Sequence, residues 1–243
     1  MRLPDLVIIG GPRCGTSSLW AMLKALPDAR TPRIKEVHFF NRKWDRGLRW
    51  YAGFFSGAGD ESLCFEATPA YLAAPKAAER AADALPETRF VVMLRDPVAR
   101  AISHYWPNKH RFPRRLGALT DPKSRCVVPG RYAEHLERWY HHVGRERIIV
   151  IISERFFEDP VQEAMRVLLH AGRFDLVSHL RPAYYDPLAR WKKKYGSPQV
   201  PLHVVRWLRE YYKEPNRRLA KMLAGDNITA DWMDGRIKPK ERT

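Results

Sequence analysis

Three short runs of consecutive apolar residues stand out along the chain: Leu6-Val7-Ile8-Ile9, Phe90-Val91-Val92-Met93-Leu94 and Ile148-Ile149-Val150-Ile151-Ile152. None alternates with polar positions. Runs of this length, rich in β-branched residues, predict strands covered on both faces, as inside a parallel sheet. Each is followed by a segment whose apolar residues recur at helical spacing. After the first run, Leu19, Trp20, Met22, Leu23 and Leu26 carry that period until Pro27-Asp28 stops it, with N-cap chemistry supplied by Thr16-Ser17-Ser18. Residues 98–105 and 161–169 are the corresponding helices after the second and third runs. A shorter strand is expected around Cys64-Phe65-Glu66 with the Ala-rich segment 75–85 as its helix, and residues 201–223 are helical in pattern. Alternation of strand and helix predicts an α/β fold, a three-layer sandwich with a central parallel sheet. No internal repeat or low-complexity tract breaks the chain, so residues 1–243 read as one domain. Residues 107–130, punctuated by Pro107, Pro113, Pro122 and Pro129, read as a long surface excursion and part of a substrate lid.

Composition adds a core and a charge. With 243 residues, 45% of them hydrophobic, the chain can bury a substantial interior. Its formal charge of +16 implies a polyanionic partner or a phosphate-bearing ligand. Residues 1–121 hold 19 basic and 12 acidic side chains and residues 122–243 hold 24 and 15, which excludes a basic arm on a neutral body. Cys14, Cys64 and Cys126 form neither a C-x-x-C pair nor a Cys/His cluster at zinc spacing, which points to a reducing compartment and no structural metal. The first apolar run is too short for a signal segment or a membrane span, so a soluble, cytoplasmic protein is expected.

Chemistry concentrates in three places. The first is Gly10-Gly11-Pro12-Arg13-Cys14-Gly15-Thr16-Ser17, between the first strand and helix. Glycines turn backbone amides toward a phosphate, and the helix N-terminus adds partial positive charge. The nucleoside-triphosphatase loop G-x-x-x-x-G-K-[ST] carries a lysine where this chain has Thr16, while Arg13 offers a cation. The bland alternative is a ligand-free turn. The second is Arg95-Asp96-Pro97, leaving the second strand at its carboxyl end, with Ser103 two helical turns on; a local Arg95–Asp96 pair is its structural alternative. The third is Lys35-Glu36-Val37-His38-Phe39-Phe40-Asn41. On an extended segment Glu36 and His38 project to one side, which suits acid–base work, and a surface segment pinned by two phenylalanines is the alternative.

In this order and spacing the motifs resemble the sulfotransferases that use 3′-phosphoadenosine 5′-phosphosulfate (PAPS), in particular the heparan sulfate sulfotransferase domain type. Further matching blocks are Gly47-Leu48-Arg49-Trp50-Tyr51, Glu66-Ala67-Thr68-Pro69-Ala70-Tyr71, Gly130-Arg131-Tyr132-Ala133-Glu134-His135-Leu136, Ser153-Glu154-Arg155 and Glu214-Pro215-Asn216-Arg217-Arg218-Leu219. The resemblance implies the sulfotransferase fold and an O-sulfotransferase that needs no metal. The first loop would cradle the phosphosulfate through Arg13, Cys14, Gly15, Thr16 and Ser17. Arg95 and Ser103 would hold the 3′-phosphate, Glu36 would take the acceptor proton with His38 beside it, and Lys193 or Lys194 would close over the donor, leaving 3′,5′-ADP as product. Arg13 replaces the lysine usual in the heparan type, in a P-R-x-G-T form like that of tyrosylprotein sulfotransferases. Ala67 and Asn41 replace a lysine and an acidic residue on the acceptor side, so the resemblance implies sulfuryl transfer without implying heparan sulfate itself. The expected acceptor is a hydroxyl on a carbohydrate or on a glycosylated or small natural product. Trp44, Trp50, Tyr71, Tyr105 and Trp106 are candidates to stack on it. Two other readings compete: a P-loop nucleotide-kinase-like phosphotransferase, against which Thr16 stands, and a nucleic-acid-binding module motivated by charge alone.

Overall fold

The three apolar runs are strands in the computed structural model, which describes residues 1–107, 115–183 and 200–223 together with Trp232. They are β1 (Leu6–Gly10), β4 (Arg89–Leu94) and β5 (Ile148–Ile152); the weaker signal at Cys64 is β3 (Leu63–Ala67), and a two-residue β2 (Ala29–Arg30) joins it. The order is β2-β3-β1-β4-β5 and every pair is parallel. Every residue of β1 and β3 is buried, as coverage on two faces requires. The chain starts in the middle of the sheet, builds one side with β2 and β3, then crosses to β4 and β5. That reversal places a topological switch point at the carboxyl end of β1, where open α/β sheets bind ligands.

Two compact units divide the chain, one of residues 1–95 with 137–187 and one of residues 96–136 with 188–243. The first holds the whole sheet. One sheet face packs Leu6, Ile8, Phe65, Val91 and Met93 against Leu19, Met22 and Leu23 of α1 (Thr16–Lys24) and Val167 and Leu168 of α8 (Pro160–His170). Each such side chain, fully buried, is worth about 1.5–3 kcal/mol. On the other face Phe90 meets Trp139 at 5.4 Å between ring centroids, and the Trp139 indole donates to the Leu72 carbonyl at 3.2 Å. Trp139 belongs to α6 (Tyr132–Val143), a helix not singled out from the sequence. Between these lie the short α2 (Phe39–Arg42) and α3 (Gly47–Ala52), then α4 (Ala77–Ala84), and after β5 comes α7 (Ser153–Glu158).

The second unit packs α5 (Pro97–Tyr105) and α9 (Leu202–Met222) around Val98, Ala101, Leu119, Cys126, Val127 and Leu208. This corrects the reading of residues 107–130 as a surface excursion. Leu119, Cys126 and Val127 are fully buried; the Tyr212 hydroxyl donates to the Val127 carbonyl at 2.7 Å, and Arg100 donates to the Cys126 carbonyl. The prolines prevent regular structure there, yet they leave 3-10 turns that aim the apolar residues inward. Residues 108–114 lie outside the described part of that segment.

Gly10 ends β1 where another backbone approaches closely. The Leu72 amide donates to the Ile9 carbonyl at 2.7 Å, and a Cβ on Gly10 would overlap Leu72 Cβ. Gly10→Ala should therefore cost about 1–3 kcal/mol, seen as a lower urea midpoint with an unchanged slope.

Candidate active site

The loop that leaves β1 turns twice in the left-handed region, at Arg13 (φ 71°) and Gly15 (φ 92°). Glycine is required at 15 for a second reason: a Cβ there would lie 2.9 Å from Phe157 Cζ. Gly15 is also the N-cap of α1, and no side chain caps that helix. The expectation that Thr16-Ser17-Ser18 would supply the cap is thereby corrected. The turn at Gly15 already carries the chain into the helix, so Thr16 and Ser18 become buried helical residues, with Ser17 half-buried between them. An N-terminus without a capping oxygen keeps its positive end for an anion. Among the contacts that hold the loop are Gly11 N–H to the Met93 carbonyl (2.6 Å), Ser153 Oγ to the Cys14 carbonyl (2.7 Å) and Arg95 Nη1 to the Arg13 carbonyl (3.4 Å). The Cys14 side chain is buried in the core cluster beneath. Arg95, the first residue after β4, is thus brought against the loop, and the two predicted cations share one edge. Asp96 caps α5 by accepting from the Val98 amide at 2.9 Å, with Pro97 in the first turn. Ser103 is a buried residue of α5, in the second unit. Lys193 and Lys194 lie outside the described residues.

Glu36 and His38 do come together, but not on an extended segment. Both adopt left-handed conformations (φ 68° and 61°), and these turns, rather than strand pleating, set His38 Nε2 3.5 Å from Glu36 Oε2. Lys35 Nζ lies 3.5 Å from the other carboxylate oxygen. Glu36 remains 43% exposed at the side chain, which leaves it reachable by a substrate. Burial lowers the His38 pKa, assisted by Arg42, so the imidazole is neutral near pH 7; its Nδ1 lies 3.2 Å from Asn41 Oδ1. Burial likewise lowers Lys35 against the pull of Glu36. The segment hangs on the end of β3, with the Glu36 amide donating to the Ala67 carbonyl at 3.0 Å. Phe39 and Phe40 anchor it from below, both fully buried, Phe39 stacked on Tyr51 at 4.6 Å. Of the candidate stacking residues, Tyr71 and Tyr105 are buried, whereas Trp44, Trp50 and Trp106 stay partly open. Lys43 lies over the Trp50 ring and Arg80 over Trp44.

Sequence reasoning gave no role to the carboxylate beneath this segment. Glu66 is 1% exposed, inside a strand otherwise made of Leu63, Cys64, Phe65 and Ala67. Its Oε1 accepts from Tyr51 (3.0 Å) and Tyr71 (2.9 Å), and its Oε2 from Thr68 (2.7 Å). A lone acid in a fully apolar strand is the signal that could have found it, because burying such a group unpaired is too costly to be incidental. Among the described residues no cluster of His, Cys, Asp and Glu is placed to hold a metal ion.

The model of the sulfotransferase domain family matches residues 3–181. Human heparan sulfate glucosamine 3-O-sulfotransferase 3B1 is 30% identical over 93% of this chain, and the chain spans 64% of that relative's length. Human bifunctional heparan sulfate N-deacetylase/N-sulfotransferase 3 is 30% identical over 91% of this chain and matches it over 30% of its own length. Among solved structures, a sulfotransferase from Alicyclobacillus acidocaldarius superposes with a TM-score of 0.75 at 25% identity, covering 96% of this chain and 99% of its own.

The buried carboxylate also makes stability depend on pH. Burial raises the Glu66 pKa from 4.5 to about 7, against the opposing effect of the Thr68, Tyr71 and Tyr51 hydroxyls. Because the folded value lies above the unfolded one, the native state holds a proton that the unfolded chain releases, and stability falls as pH rises through that window. Glu66→Gln should remove this decline, on the order of 2 kcal/mol, which Tm measured from pH 4.5 to 7 for both proteins would reveal.

Proposed function

The chain belongs to the sulfotransferase domain family, and from that premise we propose that it moves the sulfuryl group of PAPS onto an acceptor hydroxyl by in-line transfer. The observation that carries this reading is the placement of a carboxylate, a glycine loop and an arginine at the carboxyl ends of the adjacent strands β3, β1 and β4. In this reading Glu36 takes the proton as the acceptor oxygen bonds to sulfur. The bond from sulfur to the bridging phosphate oxygen breaks, and 3′,5′-ADP leaves with the electron pair. Charge gathering on the departing phosphate meets the uncapped end of α1 and Arg13, while Arg95 holds the 3′-phosphate. Neutral His38 keeps its hydrogen on Nδ1, donating to Asn41 Oδ1, and presents the Nε2 lone pair to Glu36, where it accepts from the carboxylic acid formed when Glu36 takes the proton.

The acceptor in this reading is a carbohydrate hydroxyl. Its support is the partly exposed rings of Trp44 and Trp50, overlain by the cations Arg80 and Lys43, together with relatives named for action on heparan sulfate. The kinase-like alternative is not favoured: Thr16 occupies the position of its loop lysine and is 4% exposed at the start of α1.

Two measurements test the reading. 3′,5′-ADP should raise Tm in proportion to the logarithm of its concentration while ATP with magnesium does not, and the reverse pattern would restore the kinase-like alternative. Glu36→Gln should lower turnover by about 10²–10⁴-fold and leave 3′,5′-ADP affinity unchanged within twofold; retained activity would remove Glu36 as the base.

A further inference from the structure

Glu66 lies one layer beneath the proposed base, and its hydrogen bonds form a chain that ends on the backbone of the segment carrying Glu36 and His38. A hydroxyl has a single hydrogen. Thr68 and Tyr71 spend theirs on Glu66, at 2.7 and 2.9 Å, so each presents lone pairs to whatever lies on its other side. What lies there are two amides: His38 N–H donates to Thr68 Oγ1 at 3.4 Å, and Phe39 N–H donates to the Tyr71 hydroxyl at 2.8 Å. Above about pH 7 Glu66 has given up its proton and only accepts, and it then fixes the direction of both relays. Tyr51, the third donor, stacks on Phe39 and closes the cage from the aromatic side. The segment so held contains Glu36 and His38, whose positive φ angles L-residues adopt only where surrounding contacts enforce them.

We propose that Glu66 is a positioning residue for the sulfuryl transfer: by orienting the hydroxyls of Thr68 and Tyr71 toward itself, it makes them acceptors for the His38 and Phe39 amides and thereby aims Glu36 and His38 at the acceptor. This rests on the function proposed above. It assigns to the strand acid a task separate from that of the base, since Glu66 touches no reacting atom. Replacement by Gln puts an amide N–H2 on one side of the cage and an amide oxygen on the other, so at least one hydroxyl meets a donor, must turn its own hydrogen elsewhere, and loses the orientation that aims its lone pairs at the backbone amide.

The experiment, run at pH 8 so that Glu66 is ionised, compares the wild-type chain with Glu66→Gln, Tyr71→Phe, Thr68→Val and Thr68→Ser. Amide hydrogen exchange reports on the relays, 3′,5′-ADP titration calorimetry on the donor site, and steady-state kinetics on turnover with PAPS and a heparan-derived oligosaccharide acceptor. Exchange at Phe39 should quicken at least tenfold in Tyr71→Phe, and at His38 in Thr68→Val but not in Thr68→Ser. In Glu66→Gln at least one of the two should quicken. The amides of Ile8 and Val91 in the central strands should be unaffected, and 3′,5′-ADP affinity should stay within twofold. With turnover, kcat should fall at least tenfold in Glu66→Gln at an unchanged KM for PAPS, and Thr68→Ser should keep the activity that Thr68→Val loses. Unchanged exchange at both His38 and Phe39 in Glu66→Gln, or equal behaviour of Thr68→Val and Thr68→Ser, overturns the proposal. Should Glu66→Gln fail to fold, the Thr68 pair decides alone. Absence of 3′,5′-ADP binding by the wild-type chain would instead sink the sulfotransferase reading and leave the exchange results to judge the relays.

Discussion

β1 is clasped in parallel between β3 and β4, and with strands roughly 4.8 Å apart the chain must leave the sheet three times along one short stretch of edge. From β3 it emerges as Thr68, whose neighbouring Ala67 carbonyl receives Glu36. From β1 it emerges as the glycine loop, and from β4 as Arg95. None of these segments touches another in sequence. Their proximity follows from the pairing of Val7 with Glu66 and Phe90, a register held by apolar burial on both faces. A one-residue slip would send every side chain of a strand to the opposite face, against neighbours packed for another residue, and draw a polar end residue into the core. Packing of the core and placement of the site are thus one constraint.

Within that frame the site is stiffened by polar contacts of a particular kind: side chains that hold backbone. Ser153 holds the Cys14 carbonyl and Arg95 the Arg13 carbonyl. Thr68 and Tyr71 hold the amides of His38 and Phe39, and Arg80 donates to the Phe40 carbonyl at 2.8 Å. Strained left-handed residues at 13, 36 and 38 sit among these anchors. Such conformations cost about 1–3 kcal/mol each and persist only where the surroundings over-determine them. Burial of Glu66 belongs to the same account, because a carboxylate in an apolar strand is tolerable only with several donors on it.

Much of this was legible in the linear chain. The two-sided strands betrayed themselves as unbroken apolar runs, and Gly10 through Ser17 could be placed between strand and helix because glycine and proline are informative about backbone geometry. Glu36, His38, Arg13 and Arg95 were visible as chemistry adjacent to strand ends. Other features were not legible, for definite reasons. The short α2 and α3 lack enough turns to show a period. α6, by contrast, carries Tyr132, Ala133, Leu136, Trp139 and Val143 at helical spacing, all buried, so its period was there to be read. Residues 115–130 carry prolines that mimic a loop, while their Leu119, Cys126 and Val127 complete a core with helices distant in sequence.

The sequence alone determined the class of fold and the kinds of groups at the site, because both rest on local properties: hydrophobic periodicity, glycine and proline geometry, and the presence of a carboxylate, an imidazole and arginines near strand ends. Only the tertiary structure decided how those groups work together. That Glu36 meets His38 through two left-handed turns, that Arg95 reaches the Arg13 carbonyl, and that Glu66 lies under them bound by Tyr51, Thr68 and Tyr71 depend on strand order and register. Those are set by the burial of the whole sheet, a sum over many residues that no single stretch of sequence carries.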